Sequence, residues 1–75
     1  MFDSIIFGSR LRQLRHSRHL SLKDVADDIG TLKGTIGNIE RGVKPPSINM
    51  MIALADYFDV SLDYLVGRSD KPERR

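Results

Sequence analysis

Residues 22 to 41, LKDVADDIGTLKGTIGNIER, contain the clearest structural pattern in this chain. In the first half of this stretch, Val25 and Ile29 are four residues apart, which places both apolar side chains on one face of a helix. In its second half, Ile36 and Ile39 are three residues apart and share a face in the same way. The stretch therefore predicts two short helices that pack together through these apolar residues.

Gly30 separates the two predicted helices, and glycine is favoured where a helix ends in the left-handed conformation. The small Ala26 lets two helices cross closely. Two short helices joined in this way are typical of the helix-turn-helix motif, whose second helix lies in the major groove of DNA. The pattern therefore indicates a nucleic acid as partner, and it indicates the surface that would contact it.

Composition limits what else the chain can be. Its 75 residues form one small domain, and 40% hydrophobic with 29% charged residues is typical of a globular protein. There is no cysteine, and no apolar stretch approaches the roughly 20 residues of a membrane span. The start MFDSIIF lacks the basic region and cleavage site of a signal peptide. We therefore expect a soluble, cytoplasmic protein with no membrane partner.

The net charge of +2 is small, but the charges are unevenly distributed along the chain. Residues 8 to 23 contain five basic side chains and no acidic one: Arg10, Arg12, Arg15, Arg18 and Lys23. Residues 45 to 66 contain three acidic side chains and no basic one: Asp56, Asp59 and Asp63. A domain polarised in this way could turn its basic side toward phosphates, although solvated helix faces would explain the same distribution.

Apolar spacing and capping residues predict five helices. Their approximate ranges are 5–17, 21–28, 32–41, 47–59 and a short segment within 61–67. The predicted N-caps are four serines, with Asp24 completing a capping box at the second: Ser4, Ser21, Ser47 and Ser61. The fourth helix has an apolar stripe of Ile48, Met51, Leu54, Ala55 and Phe58. Residues 1–6 are then an N-terminal arm, and residues 68–75 are a flexible polar tail.

Four segments, RLRQLRHSRHLSLKDVADDIG, TIGNIERG, PSINMMIALADYF and VSLDYLVG, follow one another in an order that resembles a known family. From Phe7 to Gly67 the chain resembles the Cro/C1-type, or XRE, helix-turn-helix family of phage and bacterial repressors. The resemblance implies an all-α, five-helix, lambda-repressor-like DNA-binding domain over residues 7–67, with its helix-turn-helix motif at 22–41. It implies a transcriptional regulator, most simply a repressor that occupies an operator, and not an enzyme.

The resemblance also implies individual contacts with DNA. Four residues of the helix over 32–41 occupy positions that face bases in the major groove: Lys33, Gly34, Thr35 and Asn38. Lys33 could donate to guanine, Asn38 could pair with adenine or a phosphate, and Thr35 could offer its methyl group to thymine or its hydroxyl to a phosphate. Phosphate contacts are implied for the amides of Ser21 and Leu22 and for the cations of Lys23, Arg10, Arg41 and Lys44. Each of these side chains could instead be only solvated.

The resemblance also implies a structural role for Arg15 and Glu40. In the family an arginine late in the first helix pairs with the glutamate that ends the recognition helix. We therefore expect a partly buried ion pair that fixes the angle of that helix.

The chain departs from the family pattern at four positions. Leu22 and Leu32 stand where a glutamine and a Ser or Thr cap are common, although Thr31 could cap one residue early. Gly34 and Gly37 each weaken a helix by roughly 0.5 to 1 kcal/mol relative to alanine, and neither offers a side chain to a base. The glycines could allow close approach to DNA, or they could simply make the helix marginal and poorly specific.

With few base contacts, specificity needs two half-sites, so we expect a homodimer on a palindrome with half-sites about 34 Å apart. Two apolar regions are candidates for the dimer interface. The first contains Tyr57, Val60, Tyr64 and Val66, which could equally be core, and the second contains Phe2, Ile5 and Ile6.

No pattern indicates catalysis, a cofactor or a small-molecule substrate. His16 and His19 have a spacing that can hold a metal, but no third ligand is near them, so surface residues are the simpler interpretation. The main alternative to a DNA-binding regulator is a protein-interaction module of the same fold, such as an antitoxin or an anti-repressor target. A helical metal-binding or small-ligand protein is a remote third hypothesis.

Overall fold

Five helices make up the regular structure of residues 1–74, which the computed structural model of the chain describes. They are α1 (Ser4–Ser17), α2 (Leu22–Ile29), α3 (Lys33–Glu40), α4 (Ile48–Phe58) and α5 (Leu62–Leu65). The prediction of five helices is confirmed, with ends that shift by one or two residues. No helix of the described chain is long and apolar enough to cross a membrane.

The capping box at the start of α2 is confirmed. The Ser21 hydroxyl accepts a hydrogen bond from the Asp24 amide, and the Asp24 carboxylate accepts one from the Ser21 amide, both at 2.9 Å. Ser47 and Ser61 cap α4 and α5 as predicted, each accepting from the amide three residues later. These caps satisfy amides that have no partner within their helices, and they fix where each helix begins.

Two predicted caps are wrong. Asp3 rather than Ser4 caps α1, because its carboxylate accepts from both the Ile5 and the Ile6 amide. At α3 the N-cap position falls on Leu32, which has no side-chain acceptor, so Thr31 does not cap this helix. The helix that would face DNA therefore begins without a side-chain cap.

All five helices contribute to one apolar core. Its buried members are Phe7, Leu11, Val25, Ala26, Ile36, Ile39, Leu54, Ala55, Phe58, Val60 and Leu65. The predicted stripe of α4 is buried only in its second half, since Ile48 is 61% exposed. Ile48 lies in the first turn of α4 and at the edge of the stripe, which explains why the neighbouring helices do not cover it.

α1 crosses the C-terminal end of α3 at Gly8. A Cβ atom on Gly8 would lie 2.5 Å from the carbonyl oxygen of Glu40 and 2.8 Å from its carbonyl carbon. Backbone cannot move aside as a flexible side chain can, so only glycine allows this approach. Gly8 thereby brings α1 into direct contact with the last turn of α3.

Residues 68–74 have no helix, but they are hydrogen-bonded to the rest of the domain. The Ser61 amide donates to the Pro72 carbonyl at 2.9 Å, and Arg74 pairs with Asp56 at 2.7 Å. Arg10 of α1 donates to the Ser69 carbonyl at 2.6 Å. The polar composition of this segment predicts a flexible tail and gives no indication of these contacts.

Candidate nucleic-acid interface

α3 has a buried back and an open front. Ile36 and Ile39 are buried in the core, at 0% and 5% exposure. The opposite side, which we call the front face, consists of Gly34, Gly37, Asn38 and Arg41, with Lys33 and Thr35 at its edges. The fold thus presents to solvent the side of α3 that carries all four predicted base-contact residues.

The first turn of the front face is unobstructed. Gly34 is exposed, and a Cβ atom added to it would meet no other atom within 4 Å. The Lys33 side chain is exposed and forms no ion pair within the described residues. Leu32 at the N-cap is 74% exposed. A partner could therefore approach this end of α3 as far as its backbone.

The second glycine of α3 has different surroundings. Gly37 is buried, and a Cβ atom there would lie 3.3 Å from Nη1 of Arg41 and 3.8 Å from Cδ1 of Leu22. Arg41 folds back along the helix and donates a hydrogen bond to the side-chain oxygen of Asn38. Gly37 is thus covered by two side chains of this chain, whereas Gly34 is open.

The start of α2 borders the front face on one side, because Leu22 lies against Gly37. The Ser21 and Asp24 amides are both used within the capping box, and the Val25 amide donates to the Ser21 carbonyl. Among the amides at this helix start, only those of Leu22 and Lys23 have no acceptor within residues 1–74. This corrects the prediction for Ser21, whose amide is already engaged. Leu22 offers its backbone, while its half-buried side chain packs on the core.

Two charges stand beside these amides. Hydrogen bonds from the Ser21 amide and hydroxyl lower the pKa of Asp24, which keeps its carboxylate ionised at the start of α2. Lys23 is exposed and pairs with Asp27 at 2.6 Å, and this hydrogen bond raises the pKa of Lys23. An anion bound at this helix start would meet two amides and one lysine, but it would also be close to a carboxylate.

The other side of the front face borders a groove of about 290 Å³ between α3 and the start of α4. Thr35 and Asn38 line it from α3, and Lys44 and Ser47 line it from the connecting segment. Lys44 is exposed and has no ion pair within the described residues. The Lys44 ammonium group is therefore available to an anion on this flank, and the start of α2 offers free amides on the other flank.

Arg10 does not belong to this surface, which corrects its prediction as a phosphate contact. Its guanidinium donates to the carbonyls of Tyr64 and Ser69, both at 2.6 Å, and pairs with Asp70 at 3.1 Å. Arg10 is two residues from Gly8, or about 200° around the α1 axis, so it points away from the α3 contact. Its positive charge is used to hold α5 and the tail.

Arg15 and Glu40 tie the end of α3 to α1. Arg15 donates through Nε and Nη2 to the two carboxylate oxygens of Glu40, at 2.6 and 2.9 Å. The two side chains are 11% and 8% exposed, and the hydrogen bond to Glu40 raises the pKa of Arg15. Arg15 also donates to the Leu20 carbonyl at 2.9 Å. The pair therefore fixes α3 relative to both α1 and the turn before α2.

The two histidines lie at the surface, beside the end of α1. Nε2 of His16 is 3.3 Å from Nη2 of Arg15, and His19 occupies the left-handed backbone region with a φ of 56°. Within residues 1–74, no group of three or more His, Cys, Asp or Glu side chains is arranged to hold a metal ion.

Exposed apolar side chains mark different places from those first predicted. Val60 is buried, while Tyr57, Tyr64 and Val66 are half-buried against the core, so this region presents no open apolar patch. The large apolar residues that are exposed are Met1, Ile5, Ile6, Leu32, Val43, Ile48 and Ile52. Of the predicted interface residues, only Ile5 and Ile6 of the N-terminal region belong to this set.

Comparisons with known proteins agree with this geometry. The chain is 37% identical over 68 residues, 91% of its length, to the uncharacterised HTH-type transcriptional regulator YobD of Bacillus subtilis, and it spans 61% of that protein. It resembles the crystal structure of the restriction-modification controller protein C.AhdI from Aeromonas hydrophila, with a TM-score of 0.77 and 33% identity over 84% of this chain and 96% of that one.

A structure of the biofilm master regulator SinR in complex with DNA also matches, with a TM-score of 0.72 and 32% identity over 79% of this chain and 95% of that one. The chain spans between 50% and 62% of the length of the curated relatives that it matches. The lambda-repressor-like fold predicted from the sequence is thereby confirmed.

Residues 11–65 match the helix-turn-helix family model HTH_3, which covers α2, α3, α4, α5 and the second half of α1. The chain therefore belongs to the Cro/C1-type helix-turn-helix family.

Proposed function

We propose that the protein binds double-stranded DNA and regulates transcription, with α3 in the major groove. The observation that supports this most directly is the open front face of α3 between two anion-attracting flanks. One flank has the Leu22 and Lys23 amides and the other has Lys44. A duplex presents the same order, since base edges in the major groove lie between two phosphate backbones.

The proposed contacts divide into two classes. Lys33, Asn38 and Thr35 contact bases, and Gly34 lets the backbone of α3 approach them closely. Leu22 and Lys23 contact one phosphate strand, and Lys44 contacts the other. Similarity to a SinR structure that contains DNA supports the same orientation of the domain.

We propose that the protein is a repressor of the phage or mobile-element type. Like the repressors that the sequence resembles, it would act by occupying a palindromic operator. Such a protein would work in the cytoplasm. Each subunit would contribute one α3 to one half-site, and the two half-sites would lie about one helical turn apart.

Salt dependence of binding tests the proposal. Affinity of the full chain for a duplex of random sequence would be measured by fluorescence anisotropy between about 50 and 200 mM salt. Lys44→Ala should reduce the slope of log affinity against log salt by about 1. Lys71→Ala removes an equal charge from the tail and should leave the slope unchanged. Absence of binding at low salt would contradict the proposal and favour a protein-interaction module.

We further propose that the N-terminal region forms the homodimer interface, because Ile5 and Ile6 are exposed beside Gly42 and Gly67. Sedimentation equilibrium of Ile5→Glu should then show a shift toward monomer. Ile52→Glu places the same charge on the exposed side of α4 and should leave the oligomeric state unchanged. Dissociation by Ile52→Glu alone would assign the interface to α4 instead.

A further inference from the structure

We infer that Arg41 contacts a guanine base in the major groove and that Asn38 positions its guanidinium for that contact. This inference rests on the proposed function. It differs from the family-based assignment, in which Arg41 neutralises a phosphate and Asn38 pairs with adenine.

The Arg41 side chain lies back over the last turns of α3. Side chains on a helix lean toward its N-terminus, so Arg41 covers the turn before its own Cα atom. Its Nη1 lies 3.3 Å from the place where a Cβ of Gly37 would be, and its Nη2 donates to Asn38. The guanidinium therefore lies on the front face, over Gly37, and not on either flank.

Gly37 is what makes this position available. A Cβ contact at 3.3 Å is tighter than most Cβ contacts in proteins, so an alanine here would shift the guanidinium outward by a few tenths of an ångström. At Gly34, one turn earlier, nothing lies within 4 Å of an added Cβ. The two glycines together remove side chains from the centre of the front face, and Arg41 occupies part of the space that they leave.

The chemistry of the pair selects the base. A guanidinium only donates hydrogen bonds, so the Asn38 atom that faces it must be the carbonyl oxygen. The Asn38 amide group and the remaining N–H groups of Arg41 are then donors available to a partner. In the major groove guanine presents two acceptors, O6 and N7, whereas adenine presents one acceptor and one donor. A donor-rich pair on the front face therefore matches guanine.

The hydrogen bond to Asn38 also limits how Arg41 can move. Charge attraction alone between an arginine and a phosphate acts over a distance and needs no fixed orientation of the guanidinium, whereas a two-point contact does. A bidentate contact with guanine needs the plane of the guanidinium to be held. Asn38 is thus a positioning residue for Arg41 in addition to its own proposed base contact, and the effect of its loss should be seen at the base pair that Arg41 contacts.

Selection of bound duplexes from a random pool by the full chain tests the inference. The wild-type chain should select a G·C pair at one position of each half-site. Arg41→Lys keeps the charge, but one ammonium group cannot bond Asn38 and reproduce the planar two-point contact with guanine. Discrimination for that G·C pair should fall roughly tenfold, with affinity for unrelated DNA nearly unchanged. Arg41→Ala should lose the same preference.

Gly37→Ala adds one methyl group to α3 beneath the Arg41 guanidinium. It should lower the preference for the same G·C pair without lowering thermal stability, whereas Lys71→Ala in the tail, outside the proposed interface, should leave that preference intact. Asn38→Ala should act at the same base pair as Arg41→Lys. A loss confined to an A·T pair in Asn38→Ala would show direct pairing with adenine and overturn the positioning role.

The outcomes separate this inference from the proposed function. If the wild-type chain selects a defined sequence and Arg41→Ala weakens binding equally for all duplexes, Arg41 is a phosphate contact and the inference is wrong, while the proposed function stands. If the wild-type chain binds no duplex at low salt, both fail.

Discussion

The back of α3 and its front face are built from opposite kinds of contact. At the back, Ile36 is fully buried and Glu40 makes a two-point ion pair with Arg15. At the front, Gly34 meets nothing and Leu32 provides no cap. Tertiary contacts behind α3, rather than its own helix propensity, therefore hold this helix in place. Its front can therefore contain residues that would weaken an isolated helix.

The largest effect is expected from breaking the ion pair at the back. Glu40→Ala leaves the Arg15 guanidinium nearly buried without its carboxylate, and we expect a loss of about 3 to 5 kcal/mol in the free energy of unfolding. Urea denaturation measures it, and DNA binding should be lost together with stability. Asp27→Ala, which breaks the exposed pair with Lys23, is the control and should leave the urea midpoint nearly unchanged. An unchanged midpoint for Glu40→Ala would contradict this account of the back.

Gly8→Ala tests the same side of α3 through packing alone. The added methyl group would collide with the backbone of Glu40, so α1 and α3 must separate, and we expect a loss of about 2 kcal/mol. Ser9→Ala changes the adjacent exposed residue and should be nearly neutral. If Gly8→Ala unfolds at the wild-type urea concentration, the helices do not cross as closely as the structure indicates.

The front face should respond in the opposite direction. Gly34→Ala adds a methyl group in open space and reduces the freedom of the unfolded chain, so stability should rise by about 0.5 kcal/mol. Thermal unfolding followed by circular dichroism would detect the increase. A decrease would mean that the front face is as constrained as the back, and the contrast between the two faces would disappear.

The smallest effect concerns a hydrogen bond between α4 and α2, the helix that packs beside α3. The Tyr57 hydroxyl donates to the Asp28 carboxylate at 2.6 Å, and this bond raises the pKa of Tyr57 to about 12. A raised pKa means that the bond stabilises the folded state below about pH 10, and that this contribution is lost as the pH rises through about 12.

Ultraviolet titration of tyrosine in a Tyr64→Phe background would follow Tyr57 alone. Asp28→Asn should move its titration back toward about pH 10, the usual value for tyrosine. An identical titration curve with and without the Asp28 carboxylate would show that α2 and α4 are not joined through this bond.

Most of the fold could be predicted from the sequence because the signals are local. The capping box of Ser21 and Asp24 and the left-handed Gly30 are set by residues within four positions of each other. The limits of such signals are visible at Asp3 and Leu32. At α1 the carboxylate of Asp3 caps the helix one residue before the predicted serine. At α3 the N-cap position falls on Leu32, which has no side-chain acceptor.

The candidate site was predicted less completely, because its geometry depends on distant residues. Gly8 was not singled out from the sequence, since its importance comes from the Glu40 backbone, 32 positions away. The family resemblance predicts Arg10 as a phosphate contact, but in the structure its guanidinium donates hydrogen bonds to the carbonyls of residues 64 and 69. Gly37 resembles Gly34 in the sequence, and only the folded position of Arg41 distinguishes them.

The contacts of Arg10 also set an order in which the domain can assemble. They join residues 54 and 59 positions apart, so they close a loop that includes most of the chain. The packing of α2 on α3 joins neighbours along the sequence and requires little loop closure. During folding, the helix pair with the front face can therefore form early. We expect the polar tail to be fastened only after both ends of the chain have met, which would make it a sensitive reporter of complete folding.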